Sequence, residues 1–343
     1  MSPYSILQEG HMRRRGLRGR SPRRPRRLRR RSPRGLRVLG FVLLLALVCL
    51  VVLLVFMASR ASSPQVSKAA KHGAASAPSR SNYGIALAPR RVNAQLSLPL
   101  RSGLLFDVRT GRVLWERAPQ TPLPIASLTK IMSALVVVEH VHPTAQALIT
   151  PQVVHYVGSG IGLLPLGKRV SVETLLYGLM LPSGNDAAIA LAQRVAGTQQ
   201  RFIAMMNAQA RSMGLGCTHF TTDSGIVDRG NYSCASDLAL VAHSLLSQPL
   251  LARIVASRRA VMPLPIKGGK LWLYNNNPLY LLGYPGLNGV KTGYTSASGQ
   301  CIVATARRGR TWLGVVLLNS GDSGAQAVRL LNAGFVAARS GGV

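Results

Sequence analysis

The apolar positions of the chain change period along its length and mark three kinds of segment. Val38 to Ser59 carries no charge over twenty-two residues, centred on Phe41-Val-Leu-Leu-Leu-Ala-Leu-Val48. As a helix this run would span about 33 Å at ~1.5 Å per residue, and a bilayer core is about 30 Å thick. Further on, Leu104–Val108 and Arg112–Glu116 read as two strands around a tight Arg109-Thr-Gly111 turn. From Ser127 the period becomes helical, with Ile131, Met132, Leu135 and Val138 on one face. Helices are also predicted over 172–180, 185–196, 200–213 and 235–247, and a last one over 325–335. Residues 300–306 and 311–318 alternate like paired strands, with Arg307-Arg-Gly-Arg310 turning between them. Strands thus flank a helical middle. The pattern predicts one sheet built from both ends of the domain, packed by helices, with a helical insertion.

Charge divides the chain further. Lys and Arg outnumber Asp and Glu by 42 to 10, and fourteen of the arginines precede Val38. Cations kept on one side of an apolar span set its orientation, so the N-terminus is expected in the cytoplasm and the remainder outside it. Residues 1–37 then serve as a disordered Arg-rich topology signal. Residues 38–59 are expected to be a transmembrane anchor: the run exceeds the ~7–15 residues of a secretory signal, and Met57–Ala61 makes a poor cleavage site. Residues 60–95, rich in Ala and Ser, form a flexible stalk, and residues 96–343 form the globular domain. An Arg-rich nucleic-acid binder is disfavoured because the arginines adjoin a membrane span. Among Cys217, Cys234 and Cys301 there is room for one disulfide, with the partners open. No zinc spacing occurs.

Three short motifs carry chemistry. Ser127-Leu-Thr-Lys130 is the only Ser-x-x-Lys in the chain. Residues i and i+3 share a helix face, so the lysine amine can lie beside the serine hydroxyl. Serine needs an adjacent base to act as a nucleophile, and a buried lysine near another cation loses its proton readily. By itself the motif is equally a helix-start serine with a solvated lysine. Ser183-Gly-Asn185 could relay a proton and hold Lys130, although Ser-Gly-Asn-Asp ahead of Ala187 is also good capping sequence. Lys291-Thr-Gly293, followed by Tyr294, offers a cation and a hydroxyl to a substrate carboxylate. Gly293 would let a substrate approach the backbone.

In this order the motifs resemble those of class A β-lactamases and penicillin-binding proteins. Leu175–Ala192, Thr218-His-Phe220 and Gly286–Thr295 are most similar to the D-alanyl-D-alanine carboxypeptidases of low molecular mass, across roughly residues 96–338. That resemblance implies an α+β, β-lactamase/transpeptidase-like fold, with an antiparallel sheet flanked by helices and a helical subdomain. It implies Ser127 as nucleophile, Lys130 as base, and Ser183 and Asn185 as further catalytic residues. Lys291, Thr292, Gly293 and Tyr294 would bind substrate, and the backbone amides of Ser127 and Tyr294 would form the oxyanion hole. The substrate would be a peptidoglycan stem peptide ending in D-Ala-D-Ala, and β-lactams would acylate Ser127. No cofactor or metal is implied.

Two departures stand out. Members of that family often carry an arginine before the last helix, where this chain has Ser320-Gly-Asp-Ser323; Lys291 and Thr292, or another arginine, would then read the carboxylate. Many members also continue into a C-terminal β-rich domain with an anchoring helix. Here the N-terminal span would replace that anchor. Two alternatives are a β-lactamase and a penicillin-binding sensor without turnover. The Glu-x-x-Leu-Asn of class A β-lactamases is absent between Asn185 and Lys291, and all three motifs are intact. A Ser-His-Asp esterase lacks its Gly-x-Ser-x-Gly elbow here.

Overall fold

A computed structural model of the chain describes residues 92–96, 99–162 and 164–339. The tail at 1–37, the span at 38–59 and nearly all of the stalk lie outside the described residues. Val92 is already packed, its amide donating to the Leu114 carbonyl at 2.8 Å, so the folded part includes the end of the segment assigned to the stalk.

The sequence-predicted sheet forms from both ends of the domain. β1 (Leu100–Asp107) and β2 (Val113–Arg117) make the first hairpin. A short β3 (Leu123–Pro124) leads through a 3-10 turn, Ala126–Leu128, into α1 (Thr129–His140). Then come β4 (Gln146–Leu148), α2 (Pro151–Val154), β5 (Arg169–Ser171), α3 (Val172–Met180), α4 (Asn185–Ala196) and α5 (Gln199–Ser212). β6 (Tyr232–Ser233), α6 (Ala235–Leu246) and α7 (Pro249–Val255) follow, then a hairpin of β7 (Arg259–Pro263) and β8 (Lys270–Tyr274), and α8 (Pro278–Leu281). β9 (Leu287–Thr295), β10 (Gly299–Arg308), β11 (Thr311–Ser320) and α9 (Ser323–Arg339) close the fold. The main sheet runs β2-β1-β11-β10-β9, antiparallel throughout.

Both faces of the sheet are covered, so the alternation expected over 311–318 is not kept: Leu313 to Leu318 of β11 is buried at every position. Leu313, Val315 and Leu317 face α9, as do Leu105 of β1 and Ile302 and Ala304 of β10. Val316, Leu318 and Val303 face the helical lobe instead. α9 meets the sheet along Ala327, Leu330, Leu331, Gly334 and Phe335, the spacing of one helical stripe. Gly334 brings the helix close: a Cβ there would stand 2.7 Å from Leu313.

α1 is the axis of the helical lobe. It is buried without interruption from Thr129 to Val137, Lys130 included, between α3, α4, α5 and α6. The helices foreseen at 172–180 and 185–196 have those bounds. The last helix is longer than its apolar stripe suggested, and the β7–β8 hairpin and α7 were not foreseen. A disulfide joins Cys217 to Cys234, and Cys301 is a free, buried thiol.

Candidate active site

The cleft lies where the 3-10 turn before α1 meets strand β9. Ser127 sits in that turn, half-buried, and Lys130 follows in the first turn of α1, fully buried. The lysine Nζ has three oxygen neighbours: Ser127 Oγ at 3.0 Å, Asn185 Oδ1 at 2.7 Å and the Ser224 carbonyl at 2.7 Å. The two carbonyl oxygens accept only. A neutral amine has two hydrogens and one lone pair. With both hydrogens donated to Asn185 and Ser224, the lone pair is left facing the Ser127 hydroxyl, as a general base requires.

The electrostatics favour that neutral amine. Burial pushes the Lys130 pKa well below the ordinary lysine value, and the nearby Lys291 charge pushes it the same way, while Asp223 and Asp186 oppose both. Lys291, also buried, is brought down to about 7 by loss of hydration. Burial raises Asp223, partly offset by a hydrogen bond from Gln199 and the Lys130 charge.

Asn185 opens α4, with Gly184 at its N-cap. Its backbone N–H donates to the Ser159 carbonyl at 2.8 Å, and its side-chain Nδ2 donates to Val157 at 2.6 Å. These bonds fix the amide so that Oδ1 turns to Lys130. The 157–162 loop is itself held by Asp186, whose carboxylate accepts from the Ile161 and Gly162 amides. Ser183 takes a left-handed backbone, φ +71, and its buried Oγ makes no hydrogen bond among the described residues. It precedes Asn185 by two residues but does not belong to the hydrogen-bonded set around Lys130.

β9 forms the opposite wall. Gly293 is required by close approach: a Cβ there would stand 2.9 Å from the Ile125 carbonyl oxygen and 3.0 Å from the Ser127 nitrogen. Lys291 Nζ donates to the Thr292 carbonyl at 3.0 Å, and Thr292 Oγ1 to Asn276 Oδ1 at 3.0 Å. Tyr294 is 69% exposed at the end of this wall.

Sequence reasoning missed the segment from Thr221 to Asn231, which supplies the Ser224 carbonyl and buries Asp223. The backbone carbonyl that holds Lys130 leaves no trace in residue type; Thr222-Asp-Ser-Gly225, a polar Gly-containing loop between helices, was the available signal. Cys217, Cys234 and Asp237 also cluster, but the two sulfurs are bonded and Asp237 Oδ2 accepts from Cys217 N and Thr218 Oγ1.

A serine hydrogen-bonded to a lysine three residues along, between an antiparallel sheet and a helical lobe, is the arrangement of the serine hydrolases that include the penicillin-binding proteins. The chain belongs to the D-alanyl-D-alanine carboxypeptidase family, whose model matches residues 90–322. It is 35% identical over 252 residues to a D-alanyl-D-alanine carboxypeptidase of Streptomyces sp. strain K15, covering 68% of this chain and 86% of that one. It is 30% identical over 250 residues to the carboxypeptidase DacF of Bacillus subtilis, covering 71% of this chain and 64% of the relative. The crystal structure of a D-alanyl-D-alanine carboxypeptidase from Mycobacterium tuberculosis H37Rv matches with a TM-score of 0.67 at 30% identity, over 73% of this chain and 96% of that one. The α+β transpeptidase-like fold expected from the motifs is therefore the fold of this domain.

Proposed function

We propose that the chain is a serine-type D-alanyl-D-alanine carboxypeptidase that removes the terminal D-Ala from peptidoglycan stem peptides. The observation that carries this reading is the contact between Lys130 Nζ and Ser127 Oγ inside a buried cluster that uses up the hydrogens of the amine. Lys130 takes the Ser127 proton as Oγ attacks the penultimate D-Ala carbonyl. The backbone amides of Ser127 and Tyr294 stabilise the oxyanion. The peptide C–N bond breaks, a proton returns to the departing amine through Ser183, and D-Ala leaves. Water, deprotonated by Lys130, then releases the acyl group and restores the Ser127 hydroxyl. The unpaired Ser183 hydroxyl supports its relay role, since a buried hydroxyl without a partner is costly. Lys291 and Thr292 receive the substrate carboxylate. A β-lactam, which presents a strained amide and a carboxylate, acylates the same serine.

Mass spectrometry of the protein treated with a penicillin tests this reading. The expected result is one adduct on Ser127, absent in Ser127→Ala, which also ceases to release D-Ala. An adduct on Ser183 overturns the assignment.

We infer further that residues 38–59 anchor the domain in the cytoplasmic membrane, with the N-terminus inside and the catalytic domain outside. The uncharged run and the arginines before it support this orientation. A reporter fused after Val343 is then active only outside the cytoplasm. N-terminal sequencing that finds cleavage near Ala61 overturns the anchor in favour of a signal peptide.

A further inference from the structure

We propose that the loop from Thr221 to Asn231 is the frame of the oxyanion hole, with Thr129 and Asn231 as positioning residues at the Ser127 end and Asp228 and Thr295 at the Tyr294 end. The proposal rests on the reading of those two backbone amides as the hole.

At the first end the backbone is strained. Ala126, the residue before the nucleophile, has φ +47, a left-handed conformation that a non-glycine residue holds only when its surroundings enforce it. The enforcing contacts come from Thr129 of α1 and from the loop, which holds Thr129 through Asn231 and meets the same carbonyl at Gly225. Thr129 Oγ1 donates to the Ala126 carbonyl at 2.8 Å, and Asn231 Nδ2 donates to Thr129 Oγ1 at 2.9 Å. Asn231 Oδ1 accepts the Thr221 amide at 3.2 Å, closing the loop on itself. Gly225, at φ +81, backs directly onto the same carbonyl, and any Cβ there would overlap it. Thr129 and Asn231 are buried, so water cannot replace these bonds. Turning the Ala126 carbonyl also turns the Ser127 N–H, because the two belong to one rigid peptide plane.

At the second end, Asp228 Oδ1 accepts from Thr295 Oγ1 at 2.8 Å. Thr295 directly follows Tyr294, and its own N–H is held by Ser298 Oγ at 2.9 Å. One loop therefore reaches the residues flanking both donors. Its roots are joined by the Cys217–Cys234 disulfide and the His219–Tyr232 bridge. A hole for a developing oxyanion needs its two donors at a set separation, and a shared frame provides that separation before the substrate arrives.

The test uses the full chain with Thr129→Val and Thr295→Val, each near-isosteric and lacking the hydroxyl, beside Thr129→Ser and Thr295→Ser, which keep it. Complete loss of an oxyanion donor costs about 10²–10³ in kcat, so a displaced donor should cost roughly ten- to a hundredfold. The Val variants should show that loss in kcat for D-Ala release and in the rate constant of penicillin acylation, with KM little changed, because a hole acts on the transition state. The Ser variants should recover most of it. Val variants with wild-type kcat, a loss confined to KM, or Ser variants no better than Val overturn the frame. Because the two ends are tested separately, a fold defect in one variant leaves the other decisive. If the wild type neither releases D-Ala nor forms an adduct, the proposed function has failed instead.

Discussion

Lys130 and Asn185 are held in one orientation toward each other. The lysine Nζ donates to Asn185 Oδ1 at 2.7 Å, while the other end of the amide is committed to the Val157 carbonyl. The amide cannot flip without leaving Nδ2 against the lysine, so Asn185 is a neutral acceptor by construction. That neutrality matters for the proposed role of Lys130, since a general base must act from its deprotonated form.

Asn185→Asp tests the point. A carboxylate beside the amine favours the ammonium, and a close opposite charge shifts a pKa by roughly 1–3 units. The sign is upward for Lys130, so the base is protonated over a wider range. Penicillin acylation should fall at neutral pH, and its acid limb should move to higher pH by about that amount. An acid limb that stays in place in Asn185→Asp shows that Lys130 is not the group whose deprotonation starts the reaction.

Much of this site was legible because its chemistry lives in side chains at fixed spacing. Ser127 and Lys130 share a helix turn, and Lys291 to Gly293 occupy successive positions of one strand, so short motifs capture both. The Ser224 carbonyl was not legible: it acts through backbone and stands 94 positions from Lys130. Asn231 works through Thr129, again across a long separation. The β7–β8 hairpin escaped because its outer face carries Val261, Trp272 and Tyr274. With apolar side chains outward as well as inward, the alternation that identifies a half-buried strand is blurred. The cysteines offered three pairings, and only the fold brings the Cα atoms of Cys217 and Cys234 to 5.9 Å.

Replacing both of those cysteines measures what their bond contributes. They close a loop of sequence separation 17. The chain-entropy model assigns about 3 kcal/mol to a loop of this size. For a domain this large, that corresponds to a fall in Tm of roughly 6–12 °C. Cys217→Ser/Cys234→Ser should show it in thermal melts, and the wild type should match the double variant in the presence of a thiol reductant. Equal melting temperatures for wild type and double variant would mean the bond does not form in the protein.

In the role proposed for Lys291, function opposes stability. Burial lowers its pKa from 10.5 to about 7. Between those values the unfolded chain binds a proton that the folded chain does not. The lysine therefore costs stability everywhere below about pH 10.5, most fully below pH 7, and the cost vanishes above the unfolded value. Lys291→Met, which fills the same space without charge, should melt higher than the wild type at neutral pH while losing activity. The gain should shrink as melts are repeated toward about pH 10.5. A variant that melts lower at every pH would indicate that the ammonium is well satisfied in the folded protein.

The same lysine should read the end of the substrate. A carboxylate entering a partly desolvated cleft needs charge-assisted hydrogen bonds, and the stretch leading into α9, Ser320 to Ser323, has no basic residue. Lys291 and the Thr292 hydroxyl are the motif groups left for the task. Thr292 Oγ1 now donates to Asn276, a bond it can exchange for one to the carboxylate. Binding an anion also favours the Lys291 ammonium, whose charge in turn keeps Lys130 easier to deprotonate. Lys291→Ala should therefore weaken both substrate anchoring and the base. A charge-assisted hydrogen bond contributes about 1.5–3 kcal/mol, so anchoring alone amounts to roughly ten- to a hundredfold in kcat/KM. A peptide ending in D-Ala-D-Ala amide separates the two effects. The wild type should cleave it more slowly than the acid by much of that factor, and Lys291→Ala should barely distinguish the two. Equal cleavage of acid and amide by the wild type would remove Lys291 from carboxylate recognition and leave it only its electrostatic effect on Lys130.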